Sequence, residues 1–527
     1  MKLLLQPFTP YDRSLKWNIH QNYFLKKGAD AWLQGEVPYN VTSNSYAAFQ
    51  IASLLYTTIE QMEKRKQLNK DEKIIVMELA AGVSLFAINF IKQFEAICIT
   101  NKRDYFKRFQ YILSDFSEKN MQDAAANVHL HKLQKSGHLV FAIVDALDPT
   151  KILELKTKKR ITDIQVTAII GNYAHDNLPL TVLRKKNTTF YEKHISLSIE
   201  TEEVIKNKEE YINTLVDKPT DKDVLGKLIE KEKYVQFDLS RLDPTHKDVI
   251  QQATKDFDVA TVVYPYGSFK AIKEALPLLK RGGFYCISDI GYANENDMEG
   301  ARSGAPSIHG NSFAHNVNFP LIEMYARKLG LFSFRTSDPD NFLQTIIITL
   351  EKNKPVHDEF DTLYVAENFN EDAHKLKHIA KILIDESKFS EAIVVLKQVL
   401  RTLKYDANIY YRIGYLLRNN VGKPAEAVWY LTEGEKFDYF KVFDFAFQLG
   451  LTFYTLSEFK KSIQHYKKSL KFFGASKHTF YNIGLCYFEL KEYQLAKEYF
   501  QKALAVDEAF EPAKETLSEL LRMREGK

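Results

Sequence analysis

The sequence is poor in cysteine and tryptophan, with three of each among 527 residues. Cys98, Cys286 and Cys486 are far apart and form no CxxC pair, which argues against a disulfide framework and a zinc site. An apolar run near twenty residues is also missing, and the N-terminal leucine run is too short for a secretory signal. These absences predict a soluble, cytoplasmic protein in a reducing compartment, with no membrane span and no metal.

An excess of charge of one sign is lacking too. The chain has 72 basic and 68 acidic residues, for a formal net charge of +4. This balance gives no strong attraction for a polyanion, so nucleic acid is not expected as a partner. Apolar residues make up 45% of the chain, which is enough for a core in each of the several domains that its length predicts.

The C-terminal third repeats a pattern of small and large residues. A small residue recurs at the same place in each copy, at Ala380, Gly414, Gly450 and Gly484. Two antiparallel helices that cross closely need a small residue at the crossing, so the pattern predicts four tetratricopeptide repeats over 373–527, closed by a helix at 512–524. Such an all-α solenoid usually binds a peptide or helix in its groove, so we expect a protein partner there.

The rest of the chain alternates short apolar runs with helical stretches. The runs are Ile74–Glu78, Tyr111–Asp115, Val140–Asp145, Thr167–Gly171, Val259–Tyr264, Phe284–Asp289 and Thr345–Leu350. The alternation predicts a doubly wound, mostly parallel α/β sheet that binds its ligand beyond the carboxyl ends of the strands. We expect this domain at 1–355, with a helical N-terminal part at 1–70, an insertion at 185–258 and a following linker at 356–372. The charged stretch 199–233 predicts solvated helices.

Acidic residues close the first three strands. Glu78 is followed by the small-residue turn Leu-Ala-Ala-Gly-Val-Ser, while Asp115 and Asp145 end the next two strands. A turn of small residues lets the backbone approach a cofactor closely, and a carboxylate such as Asp115 can accept hydrogen bonds from both hydroxyls of a ribose. Asp145 would suit an adenine amino group. For each acid, capping of a helix is the alternative interpretation.

These blocks, in this order, resemble the MidA-like methyltransferases, a family that includes mitochondrial complex I assembly factors. The matching blocks lie between about residues 20 and 350 and are Val-Met-Glu78-Leu-Ala-Ala-Gly82, Tyr-Ile-Leu-Ser-Asp115-Phe-Ser, Gly171-Asn172-Tyr-Ala-His-Asp176-Asn-Leu-Pro179, Gly282-Gly283-Phe-Tyr-Cys-Ile-Ser-Asp289-Ile-Gly291, and His309-Gly310 with His315-Asn-Val-Asn-Phe319. Thr42-Ser43 correspond to a Thr-Ser block that the family carries upstream of its first strand. The resemblance implies a Rossmann-like class I methyltransferase that uses S-adenosylmethionine. Ala80 and Ser84 stand where the family has glycine, and a methyl group at position 80 would crowd the cofactor.

The resemblance also implies roles for individual residues. The expected cofactor-binding residues are Glu78, Ala80, Gly82, Asp115, Asp145 and Asn172. The candidate catalytic residues, for positioning and proton transfer, are Asn172, Asp176 and His315, and the candidate substrate-binding residues are Tyr173, His175 and Asp289. Capping of the following helix is the alternative for Asp176, and a structural role is the alternative for His315.

Family members include enzymes that methylate a protein arginine, so the resemblance implies a protein substrate with a guanidinium as the first candidate. Asp176 and Asp289 could orient such a group. On this hypothesis the repeats recruit the substrate and raise its local concentration. Two other hypotheses stay open: a methyltransferase fold that has lost turnover and acts as a repeat-based binding protein, and a methyltransferase for small molecules.

Overall fold

The computed structural model describes residues 2–37, 43–202, 205–217, 223–340, 343–366 and 369–525. The chain divides into two compact units, Met1–Asn368 (unit 1) and Phe369–Lys527 (unit 2). Unit 1 combines sheets with helices, whereas unit 2 is helical throughout its described part. Thr42, matched above to a family block, lies outside the described residues.

Unit 1 contains both short and long strands. In chain order they are β1 (Lys2–Pro10), β2 (Ile74–Leu79), β3 (Phe109–Asp115), β4 (Leu139–Ile143), β5 (Ile152–Glu154), β6 (Arg160–Ile161), β7 (Val166–Asn172), β8 (Thr181–Lys186), β9 (Thr189–Glu200), β10 (Leu228–Phe237), β11 (Val259–Tyr264), β12 (Leu279–Tyr292), β13 (Ser307–His309), β14 (Ser312–Ala314), β15 (Val317–Asn318), β16 (Phe332–Arg335) and β17 (Leu343–Thr349). Its α-helices are α1 (Leu15–Lys27), α2 (Asp30–Leu33), α3 (Ser45–Lys64), α4 (Leu85–Thr100), α5 (Glu118–Ala126), α6 (Val128–Lys135), α7 (Lys208–Asp217), α8 (Pro244–Ala253), α9 (Tyr266–Ala275), α10 (Phe319–Lys328) and α11 (Lys354–Phe360).

The larger sheet has the strand order β16-β17-β12-β7-β2-β3-β4-β5-β6. Strands β4, β3, β2, β7 and β12 run parallel to one another, β17 runs antiparallel between β12 and β16, and β5 runs antiparallel to β4 at the other side. The chain runs outward from β2 through β3 to β4 and then returns to β7 on the other side of β2. The strand order therefore reverses between β2 and β7, and a ligand of an open α/β sheet binds beyond the carboxyl ends of strands at such a point.

A second sheet is antiparallel and has the order β1-β9-β8-β11, with β10 also paired to β9. The run Val259–Tyr264 was predicted as part of the parallel sheet, and this is wrong, because β11 pairs antiparallel with β8. Its apolar pattern suits a buried strand in either sheet, so the pattern does not select the neighbour. The predicted helical N-terminal part likewise differs, since its first residues form β1 against β9.

The charged stretch 199–233 was predicted as solvated helices, and only α7 fulfils this. The last residues of the stretch 199–233 belong instead to β10, and β10 pairs with β9 along its whole length. Lys193 of β9 is 1% exposed and its ammonium lies 3.5 Å from Glu230 and 2.9 Å from Glu232 on β10. Glutamates of this stretch thus form cross-strand ion pairs with Lys193, and the prediction of helices did not anticipate these pairs.

The region predicted as a linker, 356–372, begins as ordered structure. Helix α11 continues into a π-helical turn at Asp361–Ala366, and Phe360, Leu363 and Tyr364 are buried. The Gln50 side-chain amide of α3 donates a hydrogen bond of 2.7 Å to the Leu363 carbonyl. The chain as far as 366 therefore packs as part of unit 1.

Unit 2 is built from pairs of helices. They are α12 (Phe369–Asp385) with α13 (Phe389–Thr402), α14 (Ala407–Asn419) with α15 (Pro424–Glu435), α16 (Phe445–Thr455) with α17 (Phe459–Phe473), and α18 (Lys477–Glu489) with α19 (Tyr493–Val506), followed by α20 (Glu511–Glu525). A Cβ added at Gly450 would lie 2.5 Å from the Tyr466 ring, and one added at Gly484 would lie 2.5 Å from the Phe500 ring. Close crossing of the paired helices is therefore the physical reason for the small residue in each copy.

Replacing Gly484 with valine is expected to destabilise the last helix pair by about 3 kcal/mol, because the branched side chain would overlap the buried Phe500 ring. Hydrogen exchange of the full-length chain should then be roughly a hundredfold faster in α18 and α19. Ala475→Val, at an exposed position before α18, is the control. Unchanged exchange in the Gly484 variant would show that the crossing tolerates a side chain.

Candidate functional site

The turn from β2 to α4 has an unusual backbone. Ala80, Gly82 and Ser84 have φ angles of 54°, 50° and 65°, all in the left-handed region. The Ala81 N–H donates to the Ser114 carbonyl at 3.0 Å, which ties this turn to the end of β3. Glycine adopts such angles without strain, whereas alanine and serine do not. The turn thus keeps a glycine-type geometry although two of its three left-handed positions carry side chains.

Replacing Ala80 with glycine is expected to stabilise unit 1 by about 1 kcal/mol, because the left-handed φ of 54° strains an L-residue and not glycine. Thermal unfolding of the full-length chain measures the effect as a rise of about 1 to 2 °C in the transition of unit 1. Ala81→Gly, at a buried neighbour without a positive φ, should destabilise instead. If both variants lost stability, Ala80 would not be strained.

Asp115 links the ends of β2 and β3. Its Oδ2 accepts a hydrogen bond of 3.2 Å from the Gly82 N–H, and its Oδ1 accepts one of 2.9 Å from the Ser117 N–H. The residue is 2% exposed. Burial raises the pKa of the carboxyl to about 6, although these backbone donors oppose the rise. Asp115 therefore fixes the position of this turn.

Glu78 belongs to β2 and comes just before the same turn. Its Oε2 accepts a hydrogen bond of 2.9 Å from the Tyr111 hydroxyl, and the residue is 2% exposed. Burial raises the pKa of Glu78 to about 8, and the nearby charge of Asp115 adds to this. At neutral pH the carboxyl is therefore mainly protonated.

Aromatic side chains from the N-terminal helices cover this turn. A Cβ added at Gly82 would lie 3.2 Å from the Trp32 ring of α2. Trp32 stacks on Phe24 of α1 with ring centroids 5.2 Å apart, and the Ser117 hydroxyl donates to the Phe24 carbonyl at 3.3 Å. Neither aromatic residue was singled out in the sequence. The turn that Trp32 contacts adjoins Glu78 and Asp115, and both acids are almost completely buried.

Asp145 does not join the other two acids. It lies two residues beyond β4, is exposed, and its Oδ1 accepts a hydrogen bond of 2.8 Å from the Leu147 N–H. The side chain thus caps a turn, whereas the alternative drawn from the sequence was the capping of a helix, and the described chain has no helix directly after Asp145. Val144, just before it, is nevertheless tied to the Asp115 carbonyl by a backbone hydrogen bond of 3.1 Å.

The residues after β7 form a second polar group. Asn172 is buried, and its Oδ1 has no hydrogen-bond partner among the described residues. Tyr173 has a φ of 56°, and its N–H donates to the Ser288 carbonyl of β12 at 2.9 Å. A buried, unpaired carbonyl oxygen is costly, and such atoms commonly mark the place of a ligand or water.

Asp289 organises the turn that follows. Its Oδ2 accepts hydrogen bonds of 3.0 and 3.1 Å from the N–H groups of His175 and Asp176. Burial raises the pKa of Asp176 to about 7, and burial together with the charge of Asp176 raises the pKa of Asp289 well above its ordinary value. Two buried carboxyls that interact this strongly do not both ionise readily, so the pair retains a proton at neutral pH.

A cavity of about 200 Å³ lies next to this pair. Its lining includes Tyr173, Asp176, His309 and His315 together with the aromatic side chains of Phe24 and Trp32. His315 Nε2 lies 2.8 Å from the Tyr11 hydroxyl, and burial lowers the pKa of His315 to about 3. His315 is therefore a neutral imidazole at physiological pH. Tyr11, 304 positions away, was not anticipated from the sequence.

The structure thus separates the predicted site residues into two sets. Glu78, Gly82 and Asp115 meet at the β2 turn, whereas Tyr173, Asp176 and His315 meet at the cavity beyond β7. Trp32 contacts both sets, since it lies on Gly82 and also lines the cavity. Within the described ranges, no three His, Cys, Asp or Glu side chains are grouped closely enough to hold a metal. None of the described helices has the length and apolar character needed to cross a membrane.

Comparison with known proteins characterises part of unit 2. Residues 479–510 match the model of the tetratricopeptide repeat family. No protein with curated annotation matches the sequence. Among solved structures, MamA from residue 41 onward, from Desulfovibrio magneticus RS-1, is 20% identical with a TM-score of 0.28, over 29% of this chain and 85% of that chain.

A second solved structure is similar over a larger share of the chain. The chain is similar to a candidate methyl transferase from Burkholderia thailandensis bound to S-adenosyl-homocysteine, with 11% identity and a TM-score of 0.42 over 66% of this chain and 90% of that chain. At such identities and TM-scores, these likenesses assign no function to the chain.

Proposed function

We propose that unit 1 is an S-adenosylmethionine-dependent methyltransferase and that unit 2 binds a protein partner or substrate. The observation that carries the proposal is the reversal of strand order between β2 and β7. The left-handed turn at 80–84 and the buried Asn172 lie at the carboxyl ends of these two strands. Open α/β sheets bind nucleotide-type cofactors at this place.

The residues at the turn fit part of the cofactor. Gly82 allows close backbone approach, and Asp115 is tied to Gly82 and could accept hydrogen bonds from a ribose with its remaining lone pairs. Asn172 Oδ1 has no hydrogen-bond donor among the described residues, so it could accept a hydrogen bond from the cofactor. Asp145 is assigned to the adenine end, because its neighbour Val144 is bonded to Asp115. The bound cofactor would supply an electrophilic methyl group.

The fit has one condition. Because Trp32 lies on Gly82, and Glu78 and Asp115 are each 2% exposed, the Trp32 side chain must leave the turn before a cofactor can contact it. Helix α2 carries Trp32 and spans only four residues, Asp30–Leu33. Moving so short an element disrupts few hydrogen bonds, so we assign it the role of the displaced segment.

The cavity beyond β7 is assigned to the methyl acceptor. Tyr173 and Asp176 line it, and Asp289 fixes the turn that carries Asp176. A cationic acceptor such as an arginine side chain would lower the energy of the ionised carboxyl pair and release its proton. His315, neutral at physiological pH, would orient the acceptor through hydrogen bonds, and its contact with Tyr11 holds the ring in place.

Calorimetry of the full-length chain with S-adenosylmethionine tests the proposal. We expect binding, and a loss of binding of at least about tenfold in Asp115→Asn, which keeps the size of the side chain but removes its charge. Asp148→Asn, at a partly exposed acid that lies outside both residue sets, is the matched control. Incubation with labelled cofactor and a cell extract would then identify the acceptor. Absence of heat at millimolar cofactor, in the wild type and in a variant without Trp32, would overturn the proposal.

The alternative is a binding protein with a methyltransferase-type fold. It is favoured by one observation, the Trp32 ring that occupies the space over Gly82. In this alternative, Ala80 and Ser84 have replaced the glycines of a former cofactor-binding loop. The helix pairs of unit 2 then carry out the function, which is to bind a protein partner. It predicts that neither the wild type nor the Trp32 variant binds the cofactor, while the full-length chain still binds its protein partner.

A further inference from the structure

A second, larger cavity of about 740 Å³ lies in unit 1 among the antiparallel sheet, α8, α9 and α10. None of the predicted cofactor, catalytic or substrate residues lines it. Its size is within the range typical of small-molecule sites. Its lining combines cationic, acidic and aromatic side chains.

One face of α9 supplies the first kind. Tyr266, Lys270 and Lys273 all line the cavity, and their spacing of four and three residues places them on the same side of the helix. Both lysines are exposed, and no carboxylate of the described residues lies within ion-pair distance of either ammonium. Arg241 also lines the cavity and, again within the described ranges, has no ion-pair partner. The acids Asp243 and Glu274 also line the cavity, but neither forms an ion pair with these cations among the described residues, so the three cations keep donors free for an anion.

Carboxylates supply the second kind of group. The Tyr266 hydroxyl donates a hydrogen bond of 3.2 Å to Asp12 Oδ2, while Asp12 Oδ1 is buried and has no partner among the described residues. Glu192 lines the cavity beside Asp12, and its pKa is raised by burial and by the charge of Asp12. An unpaired, buried carboxylate oxygen is stabilised by a donor such as a hydroxyl group of a ligand.

The third kind of group is aromatic and apolar. His246 Nδ1 lies 2.6 Å from the Tyr264 hydroxyl, and the His246 ring packs edge-on against Tyr325 with centroids 5.2 Å apart. Phe237 of β10 lines the cavity as well. These side chains form a preordered wall, which suits the ring of a sugar or a base.

The groups are ordered along α9. Tyr266, which holds Asp12, is two turns from Lys273, a separation of roughly 10 Å at 1.5 Å per residue. We propose that this cavity binds a phosphorylated, hydroxyl-bearing small molecule, a sugar phosphate or a nucleotide, with the phosphate at Lys270 and Lys273 and the hydroxyl groups at Asp12. The site does not depend on the proposed methyltransferase activity, since the two share no assigned residue.

Calorimetry of the full-length chain with ribose 5-phosphate, adenosine monophosphate, ribose and inorganic phosphate tests the site. We expect ribose 5-phosphate or adenosine monophosphate to bind with a Kd below about 1 mM, and at least about tenfold more tightly than ribose or phosphate alone. The tighter of the two identifies the ligand as a sugar phosphate or as a nucleotide. No heat from either compound at about 5 mM, or affinity no better than that of phosphate, would overturn the proposal.

Substitutions locate the binding. Lys270→Gln with Lys273→Gln should weaken the phosphorylated ligand by about tenfold, whereas Lys70→Gln with Lys255→Gln, at exposed lysines that do not line the cavity, should not. Asp12→Ala should weaken ribose 5-phosphate but leave the affinity for inorganic phosphate within about twofold. Asp12→Asn, a milder change, covers the case in which the alanine variant fails to fold. Equal affinities in the cavity variants and in the control would place the ligand elsewhere and refute the assignment.

Discussion

Replacing Trp32 with alanine is expected to raise the affinity of the full-length chain for S-adenosylmethionine by roughly tenfold to a hundredfold. In the wild type the ring lies on Gly82 and stacks on Phe24, and both contacts are lost when a cofactor enters. An aromatic pair contributes about 0.5 to 1.5 kcal/mol beyond the apolar area that it buries. Since about 1.4 kcal/mol corresponds to a factor of ten, removing this obstacle should be visible by calorimetry.

An increase in affinity cannot result from misfolding, which makes this substitution more informative than a loss of binding. Trp429→Ala is the matched control, because Trp429 belongs to unit 2 and is 55% exposed. The control should bind the cofactor as the wild type does. Equal affinity in wild type and Trp32→Ala would mean that the ring is no barrier, and no binding in either would favour the binding protein described above.

Buried strands were the part of the fold that the sequence predicted best. The run Ile74–Glu78 became β2 and the run Tyr111–Asp115 became the end of β3, because strands buried on both faces are nearly continuous in apolar residues. The run Val259–Tyr264 was recognised as a strand for the same reason but was given the wrong neighbours. Pairing depends on contacts with distant segments, which a local pattern does not contain.

The candidate site shows the same limit at the level of single side chains. Asp115 and Asp145 both follow strands, yet only Asp115 is held by the glycine turn, while Asp145 is exposed and caps its own turn. Trp32 meets Gly82, 50 positions away, without any motif to mark the contact. Strand-end acids can therefore be identified from spacing, whereas the side chains that cover them need coordinates.

The burial of Glu78 makes the stability of the folded chain depend on pH. Its pKa is about 8 in the folded chain against an ordinary value of 4.5, mainly because it is buried. The folded state holds the proton more tightly than the unfolded state, so the stability linked to this group is full below about pH 4.5 and is lost as pH rises to 8. Replacing Glu78 with glutamine removes the titration and keeps an oxygen that can accept the Tyr111 hydroxyl.

Glu78→Gln is therefore expected to exceed the wild type in unfolding free energy by about 4 kcal/mol at pH 8, but by less than about 1 kcal/mol near pH 5. Urea unfolding of the full-length chain at the two pH values measures the difference. Glu209→Gln, at an exposed position of α7, should leave the wild-type profile unchanged. A Glu78 variant that followed the wild-type pH dependence would mean that Glu78 is ionised without cost and is not sealed from water.

Buried histidines make the folded chain lose stability at low pH. Burial lowers the pKa of His20, His175 and His315 to about 3. The stability linked to their neutral forms is present above about pH 6.5 and is lost as pH falls toward 3. Glu78 acts in the opposite direction, as do Asp115, Asp176 and Asp289, whose pKa values are also raised. Glu78→Gln should therefore lose less stability than the wild type at alkaline pH, while the acid limb set by the histidines stays in place. S-adenosylmethionine carries a positive sulfonium charge, and such a charge bound close to Glu78 would lower the pKa of that carboxyl. Cofactor binding should therefore strengthen as pH rises from 6 to 8, and should lose this dependence in the glutamine variant.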